Sequence, residues 1–288
     1  MSPRATTVAL IVVAVFAVST SGPLIAASAV PPFAVAFWRN ALATAVLAPV
    51  TAVHRRAELR ALDRRTTAWC ALSGVLLAAH FATWIPSLSF TTVATSTALA
   101  CTTPVWTALA GRVPRATWAG IAVALAGIVV VTGVDLSVSP RALAGDALAL
   151  AGGAFAAGYV LVGARVRPRV STTGYTTVCY AVCAALLLVL CLAARTPLAG
   201  YDGGSWLGLA ALAVGPQFLG HSLYNHVLDR VSPTVVGLTI LFEVPGAALL
   251  AWAFLGQAPP PLTWLGIALL LGGLAVVVAR PSRVSPVG

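Results

Sequence analysis

The sequence predicts an all-α membrane protein with ten transmembrane helices, arranged as two inverted five-helix repeats. Three observations lead to this fold class: a sparsely charged composition, ten apolar runs, and a pattern of spacings that occurs in both halves. Of the 288 residues, 59% are hydrophobic and 8% are charged, whereas a soluble domain carries about a quarter charged residues. A chain of this composition cannot cover a water-facing surface, and it is expected to lie in a bilayer.

Ten apolar runs are separated by short segments that contain Pro, Gly, Arg or acidic residues. About 20 helical residues cross the hydrocarbon of a bilayer, and most of these runs are close to that length. The first run is longer than the core of a typical secretory signal, and the repeat described below needs it, so we interpret it as a retained span. The predicted spans are residues 5–28, 33–53, 67–88, 92–110, 117–134, 145–165, 172–194, 205–227, 233–255 and 261–280.

Both termini are predicted to lie in the cytoplasm because of where the positive charges fall. The net charge of +10 includes 17 Arg and no Lys. With a cytoplasmic N-terminus, 14 Arg fall in cytoplasmic segments, two in external segments, and Arg39 within the second span. Cytoplasmic loops of membrane proteins are enriched in positively charged residues. The distribution therefore predicts that both termini are cytoplasmic, which requires an even number of spans. The cytoplasmic residues are Arg4, Arg55, Arg56, Arg60, Arg64, Arg65, Arg112, Arg115, Arg165, Arg167, Arg169, Arg230, Arg280 and Arg283.

The same distribution limits the predicted partners. The Arg residues occupy gaps between apolar runs rather than one basic surface, so nucleic acid is not expected as a partner. The sequence has no Cys-x-x-Cys pair, no His cluster with metal spacing and no phosphate-binding loop, so neither a metal nor a cofactor is predicted. The expected surroundings are the lipid bilayer of a bacterial cytoplasmic membrane, and the oligomeric state is left open.

Two sets of matched residues reveal an internal repeat. A Gly, a His six residues later and a Pro 24 residues after the His occur once in each half, shifted by 141 residues. Further on, WAGIAVALAG at 118–127 matches WLGIALLLGG at 264–273, shifted by 146 residues. A length difference in the preceding loop accounts for the change of shift. The first set is Gly74, His80 and Pro104, matched by Gly215, His221 and Pro245.

The repeat defines three predicted segments of the chain. Residues 1–134 hold spans one to five, residues 145–280 hold spans six to ten, and residues 281–288 form a short cytoplasmic tail. Because five spans is an odd number, the second repeat would enter the membrane from the opposite side. Inverted repeats of this kind are typical of secondary transporters, in which the solute binds near the midplane between the halves.

Three stretches of the sequence resemble the EamA-type drug/metabolite transporter superfamily. They cover predicted spans three and four, span six, and spans eight and nine. The likeness extends over almost the whole chain. The stretches are GVLLAAHFATWIPSLSFTTVATSTALACTTPVW at 74–106, GDALALAGGAFAAGYVLVG at 145–163 and GHSLYNHVLDRVSPTVVGLTILFEVPGAALLAWAFLGQ at 220–257.

The resemblance implies ten helices in two EamA repeats, cytoplasmic termini, and export or uptake of small metabolites. Substrates in this superfamily include amino acids, nucleotide-related compounds, sugars and drugs. The chain departs from the usual pattern at three places. It has Glu243-Val244-Pro245 where Glu-Pro-Val is usual, and Gln257 where the ninth helix usually ends in Glu. The loop after the fourth helix is also shortened and lacks a comparable Glu, so a role for those loop carboxylates is not expected here.

Glu243 is the acidic residue that lies well inside a predicted span. In the stretch VVGLTILFEVPGAALLAW it is the one charged residue among eighteen, and a charge at mid-bilayer costs about 3 kcal/mol on insertion scales. We expect it to face a central cavity, where it would bind a proton or a cationic group of the solute. The alternative is a protonated carboxyl that bonds a neighbouring helix.

Two polar pairs occupy matched positions in the two repeats. His80 and Trp84 are four residues apart on one helix, and His221 and Asn225 are four apart on another, so each pair shares a helix face. We expect the pairs to line one cavity from both sides, where His can bind an anion or relay a proton. The alternatives are hydrogen bonds between helices and, for Trp84, an anchor at the outer interface.

Four other polar residues are candidates for the same cavity. Arg39, within the second span, could receive a carboxylate or phosphate of the solute; alternatively its side chain snorkels to the headgroups. Tyr159, Gln217 and Tyr224 could supply hydrogen bonds. No catalytic residue is predicted.

The function predicted from these observations is secondary active transport of a small metabolite by alternating access. The solute would be amino acid-like, nucleotide-related or drug-like, export is the favoured direction, and coupling to protons or exchange is expected. A membrane-embedded enzyme acting on a lipid or isoprenoid is the alternative, but it would need acidic or His residues clustered at one membrane face, and the acidic residues here are scattered. The chain is therefore not expected to be an enzyme.

Overall fold

The computed structural model describes residues 3–111, 113–133 and 139–278. Within those ranges the regular structure is helical. Arg112, Arg280, Arg283 and the predicted tail 281–288 lie outside the described residues. The helices are α1 Pro3–Ser19, α2 Ser21–Ala26, α3 Pro32–His54, α4 Arg56–Ala61, α5 Arg64–Ser87, α6 Val93–Ala100, α7 Thr103–Ala110, α8 Arg115–Gly133, α9 Pro140–Val166, α10 Thr172–Ala193, α11 Gly203–Leu212, a π-helix Ala213–Ser222, α12 Leu223–Val227, α13 Pro233–Ile240, α14 Glu243–Leu255 and α15 Pro261–Val278.

Six helical segments are long and apolar enough to cross a membrane, judged by length and composition. Two shorter apolar helices, Thr117–Val131 and Pro261–Gly273, coincide with predicted spans five and ten. The prediction of an all-helical, multi-pass membrane protein is confirmed, whereas the count of ten spans stays a prediction. The six segments are Arg4–Ala26, Pro32–His54, Arg64–Ser87, Pro140–Val166, Thr172–Ala193 and Pro233–Leu255.

Predicted spans four and nine are each interrupted near the middle. The chain leaves regular helix for two residues between α6 and α7, and again for two residues between α13 and α14. Pro104 follows the first break and Pro245 follows the second, each within the first turn of the new helix, where a missing backbone N–H is tolerated. The two breaks lie at matched places in the two halves, and the second one makes Glu243 the first residue of α14.

Predicted span eight is divided into α11, the π-helix and α12. Pro216 lies inside the π-helix and cannot donate a backbone hydrogen bond, so the regular α-helical ladder is lost at that point. Short π-helical segments are frequent at functional sites. This one carries Gln217 and His221, two of the residues predicted to bind solute or protons.

Helices α8 and α15 approach each other closely through glycines. A Cβ atom placed on Gly127 would lie 2.4 Å from the carbonyl oxygen of Gly266, and one on Gly273 would lie 2.4 Å from that of Gly120. Residues 120 and 127 match residues 266 and 273 in the sequence repeat. The contacts are therefore reciprocal and the two matched helices run antiparallel.

Candidate functional site

Seven of the nine residues predicted to bind solute or protons line one cavity. The space between its lining side chains, including the part that is open to solvent, is about 660 Å³. Its walls come from helices of both halves of the chain. The seven residues are His80, Trp84, Tyr159, His221, Tyr224, Asn225 and Glu243.

His80 is held in place by the close approach of α5 and α9. A Cβ on Gly152 would lie 2.9 Å from the Cβ of Trp84, so glycine is needed for the two helices to meet here. The His80 Nδ1 atom lies 2.9 Å from the Gly152 carbonyl oxygen, and it must carry hydrogen because a carbonyl only accepts. In the neutral ring this leaves Nε2 as an acceptor.

Trp84 lies one helical turn beyond His80 and stacks on it. The two ring centroids are 5.5 Å apart and the rings are nearly parallel, at 10°. The Trp84 side chain is buried, and among the described residues its Nε1 atom has no hydrogen-bond partner. This placement fits a cavity wall, whereas an anchor at the outer interface would be more exposed.

His221 faces His80 from the π-helix. The two imidazole centroids are 6.4 Å apart, and the Tyr159 ring lies 5.9 Å from His221 in a T-shaped arrangement. Two histidines at positions that match in the sequence therefore lie near each other beside the cavity. His80 is buried and His221 is partly buried, and the Phe81 ring lies 5.5 Å from His221.

Asn225 and Tyr159 form the adjoining part of the wall. The Asn225 Nδ2 atom donates to the Tyr159 hydroxyl. The Asn225 Oδ1 atom has no hydrogen-bond partner among the described residues. A buried amide oxygen is rarely left without a donor, so this atom is available to a solute or to water. Tyr224, the preceding residue, also lines the cavity.

Glu243 contributes its carboxyl group to the cavity from the start of α14. The residue is 9% exposed, and its Oε2 atom lies 4.0 Å from the Cys101 Sγ atom. Within the described part of the chain its carboxyl forms no hydrogen bond to a nitrogen or oxygen atom. The contact with Cys101 comes from the break between α6 and α7, and Glu243 also lines the cavity, so a proton-binding role and a bond to a neighbouring segment both stay predictions.

Arg39 and Gln217 lie directly behind the wall rather than in it. The Arg39 Nε atom donates to Gln217 Oε1 at 3.0 Å, and Nη1 donates to the Ser21 hydroxyl at 3.1 Å. The guanidinium carbon is 4.3 Å from the centroid of the Phe81 ring. Arg39 is fully buried at 0% exposure, so the alternative that it snorkels to the headgroups is wrong. Ser21, its partner, does line the cavity.

Sequence reasoning missed three polar residues of the wall: Ser21, Cys101 and Thr103. Ser21 begins α2, immediately after a break in the first predicted span, and Cys101 lies in the break between α6 and α7. Thr103 begins α7, and its hydroxyl has no hydrogen-bond partner among the described residues. The run Cys-Thr-Thr-Pro at 101–104, which places polar groups before a mid-span proline, is the signal that could have identified this wall.

Comparisons with known proteins show the family to which this chain belongs. A model described as the EamA-like transporter family matches residues 5–133 and 143–279. A relative from Bacillus subtilis (strain 168), described as "Uncharacterized transporter YwfM", is 29% identical over 191 residues. That alignment covers 62% of this chain and 60% of the relative, so the chain spans less than two thirds of the length of the curated relative.

One solved structure has the same fold. It is described as "Crystal structure of protein", and it superposes with a TM-score of 0.72 over 94% of this chain and 96% of its own. The sequence identity is 23%, so the likeness concerns the fold alone.

Proposed function

Because the chain belongs to the EamA-like transporter family, matched over residues 5–133 and 143–279, we propose that it is a secondary active transporter. It moves a small metabolite across the bacterial cytoplasmic membrane by alternating access. The solute is amino acid-like, nucleotide-related or drug-like. The observation that carries this proposal is the convergence of polar residues from both halves of the chain on one central cavity.

The proposed architecture is ten spans in two inverted repeats, residues 1–134 and 145–280, with both termini in the cytoplasm. Two matches to the family model, one in each half, support the repeat. The helix breaks at matched positions support it further, because discontinuous helices often build the solute sites of transporters. The antiparallel contact between α8 and α15 is what a two-fold axis in the membrane plane would produce.

In this scheme the solute binds between the two halves, which open alternately to each side. His80 and His221 come from matched positions, so a rearrangement of one half against the other changes the distance between them. Their rings, with Trp84 and Tyr159, offer flat surfaces for the body of a solute. The unpartnered Asn225 Oδ1 and Trp84 Nε1 atoms offer one acceptor and one donor.

Glu243 is the proposed coupling group. It is a carboxyl group inside a predicted span, open to the cavity, with no hydrogen bond to a nitrogen or oxygen atom of the described residues. Proton binding there removes a charge that is costly at this depth, so protonation and solute binding would be linked. Export is the favoured direction, because it is the commoner role in the superfamily that the sequence resembles.

The test begins with a survey of metabolites in cells with and without the protein. A solute whose level changes is then offered to vesicles that contain the purified protein and to vesicles without it. We expect flux only with the protein, and a dependence on the pH gradient that Glu243→Gln removes. Asp202→Asn is the matched control, since Asp202 caps α11 outside the cavity. Absence of flux for every solute that changes would contradict transport.

A further inference from the structure

We propose that Arg39 binds a negatively charged group of the transported solute, so that this solute is a small monocarboxylate. The inference rests on the proposed transport function and narrows its substrate class. Arg39 is buried within the second predicted span, it lies behind Ser21 of the cavity wall, and no carboxylate of the described chain forms an ion pair with it. These three observations carry the proposal.

The partners of the Arg39 guanidinium are all uncharged. Nε donates to Gln217, Nη1 donates to Ser21, and the Phe81 ring lies against one face. The Nη2 atom has no hydrogen-bond partner among the described residues. A buried charge is normally paired and fully hydrogen-bonded, because it is costly otherwise. The guanidinium therefore has no anion in direct contact among the described residues.

The nearest acidic group does not supply that anion. Glu243 is near enough to attract Arg39 electrostatically, but none of the ion pairs found in the described ranges joins them. Arg39 lies behind Ser21, whereas Glu243 lies in the wall itself. An anion at the Ser21 side would complete the pairing that the protein leaves open.

Ser21 connects the guanidinium to the cavity. Its hydroxyl accepts from Arg39 Nη1 and lines the wall. A hydroxyl can accept and donate at once, so Ser21 can donate its own hydrogen to a solute oxygen while Arg39 polarises it. A small rotation of Ser21 would also let a carboxylate reach Nη2 directly.

The other open donors suit the same ligand. Trp84 Nε1 and the Thr103 hydroxyl are buried in the wall without partners among the described residues. A carboxylate accepts up to four hydrogen bonds, and it fits the planar fork of a guanidinium. When Glu243 is protonated, the single positive charge of Arg39 balances a monocarboxylate, whereas a dianion would leave one negative charge unbalanced. A monocarboxylate with an aromatic or apolar body therefore matches the site.

A purely structural role for Arg39 would tie α3 to α2 and the π-helix without any preference for the charge of a solute. A preference for negatively charged ligands over neutral ones therefore distinguishes a binding role of Arg39 from a structural one. The protein purified in detergent is heated with matched pairs of probes that differ in charge alone: phenylacetate with phenylacetamide, and hexanoate with hexanamide. Ligands that bind the folded state raise the unfolding midpoint, and the concentration dependence gives an apparent Kd.

We expect the carboxylates to bind at least ~10-fold more tightly than their amides, as a charge-assisted hydrogen bond would provide. Arg39→Gln should abolish this preference. Gln217→Glu is the second variant, because it places a carboxylate against Arg39 Nε at the position of the present 3.0 Å bond and neutralises Arg39 in place. Arg141→Gln is the matched control, since Arg141 contacts Ser89 in an exposed loop, and it should keep the preference.

Two results would overturn the proposal. The first is equal binding of carboxylates and amides by the unaltered protein. The second is a preference that survives in folded Arg39→Gln or Gln217→Glu protein. The transport proposal fails separately: if vesicle flux identifies a cationic or neutral solute, transport stands and carboxylate recognition is wrong. If no solute moves while carboxylates still bind through Arg39, the site stands and transport is wrong.

Discussion

Two buried arginines in this protein have opposite surroundings. Arg167 follows α9 and is 6% exposed; its Nε atom donates to the Asn225 carbonyl at 2.7 Å and its Nη1 atom to the Val170 carbonyl. Its Nη2 atom lies 3.8 Å from the Asp229 carboxylate. Arg39, at 0% exposure, has only uncharged partners and one nitrogen that lacks a hydrogen bond within the described ranges.

The difference separates a structural arginine from a binding arginine. Arg167 meets its charge and its hydrogen-bonding needs within the protein, at the end of the molecule predicted to face the cytoplasm. Burial lowers the pKa of Arg167, and the negative charge of Asp229 opposes that shift. Arg39 has no ion-pair partner within the described ranges, and the Glu243 carboxyl group acts on it only at a longer distance. Burial alone is therefore a poor guide to the role of an arginine.

The largest expected effect comes from removing the unpaired charge. In Arg39→Gln, we expect solute flux in vesicles to fall by ~100-fold, because two charge-assisted contacts to the solute are lost. The free energy of unfolding should change by less than about 1 kcal/mol, since the variant also removes an uncompensated buried charge. If Arg39→Gln lost much of its stability but kept its flux per folded molecule, Arg39 would have a structural role like that of Arg167.

The second effect is on stability. In Arg167→Gln, the carbonyl groups of Asn225 and Val170 lose their donor and Asp229 loses its partner. We expect the free energy of unfolding to fall by about 2 kcal/mol, measured by denaturant titration in detergent. Flux per folded molecule should be nearly unchanged. A variant as stable as the original protein would contradict the structural role.

The third effect concerns the carboxyl group beside the binding arginine. In Glu243→Gln, we expect flux at the most favourable pH to fall by ~10-fold and to become independent of the pH gradient, because the proton-binding group is gone. Flux driven by the solute gradient alone should remain. A flux that still follows the pH gradient would show that another group carries the proton.

The smallest effect is expected at Asp63, an exposed charged residue that serves for comparison with the buried ones. Asp63 caps α5 by accepting from the Thr66 backbone N–H at 2.6 Å. The hydrogen bonds from Thr66 lower its pKa below the ordinary value of 3.8. Its contribution to stability is therefore present above about pH 4 and is lost as pH falls through the folded-state pKa. In Asp63→Asn, the free energy of unfolding should fall less steeply as the pH is lowered below about 4. Solute flux at neutral pH should be unaltered.

The sequence predicted the membrane class and much of the site for physical reasons. His80 and Trp84 are four residues apart, so they share one face of their helix whatever that helix packs against. The repeated spacing predicted that His221 would approach from the other half. These inferences depend on the helical period and on the internal repeat, and both can be recognised from the sequence alone.

Other parts of the site depend on long-range packing, which the sequence does not express. Gln217 is 178 residues from Arg39 along the chain, and the depth of Arg39 in its span left snorkelling open. Ser21 reaches the wall because the first predicted span breaks at Thr20. The breaks also rotate Cys101 and Thr103 toward the cavity, and uniform helices drawn through predicted spans would not place them there.

The π-helix makes the chain between residues 213 and 222 unusually tolerant of a change in length. Its hydrogen bonds span five residues, whereas those of an α-helix span four, so the loss of one residue can be absorbed by conversion toward an α-helix. Each residue of an α-helix advances the side chains by about 100° around its axis. A one-residue deletion at the start of α12, with the π-helix unchanged, would therefore turn Asn225 away from Tyr159, although every polar residue of the wall would still be present.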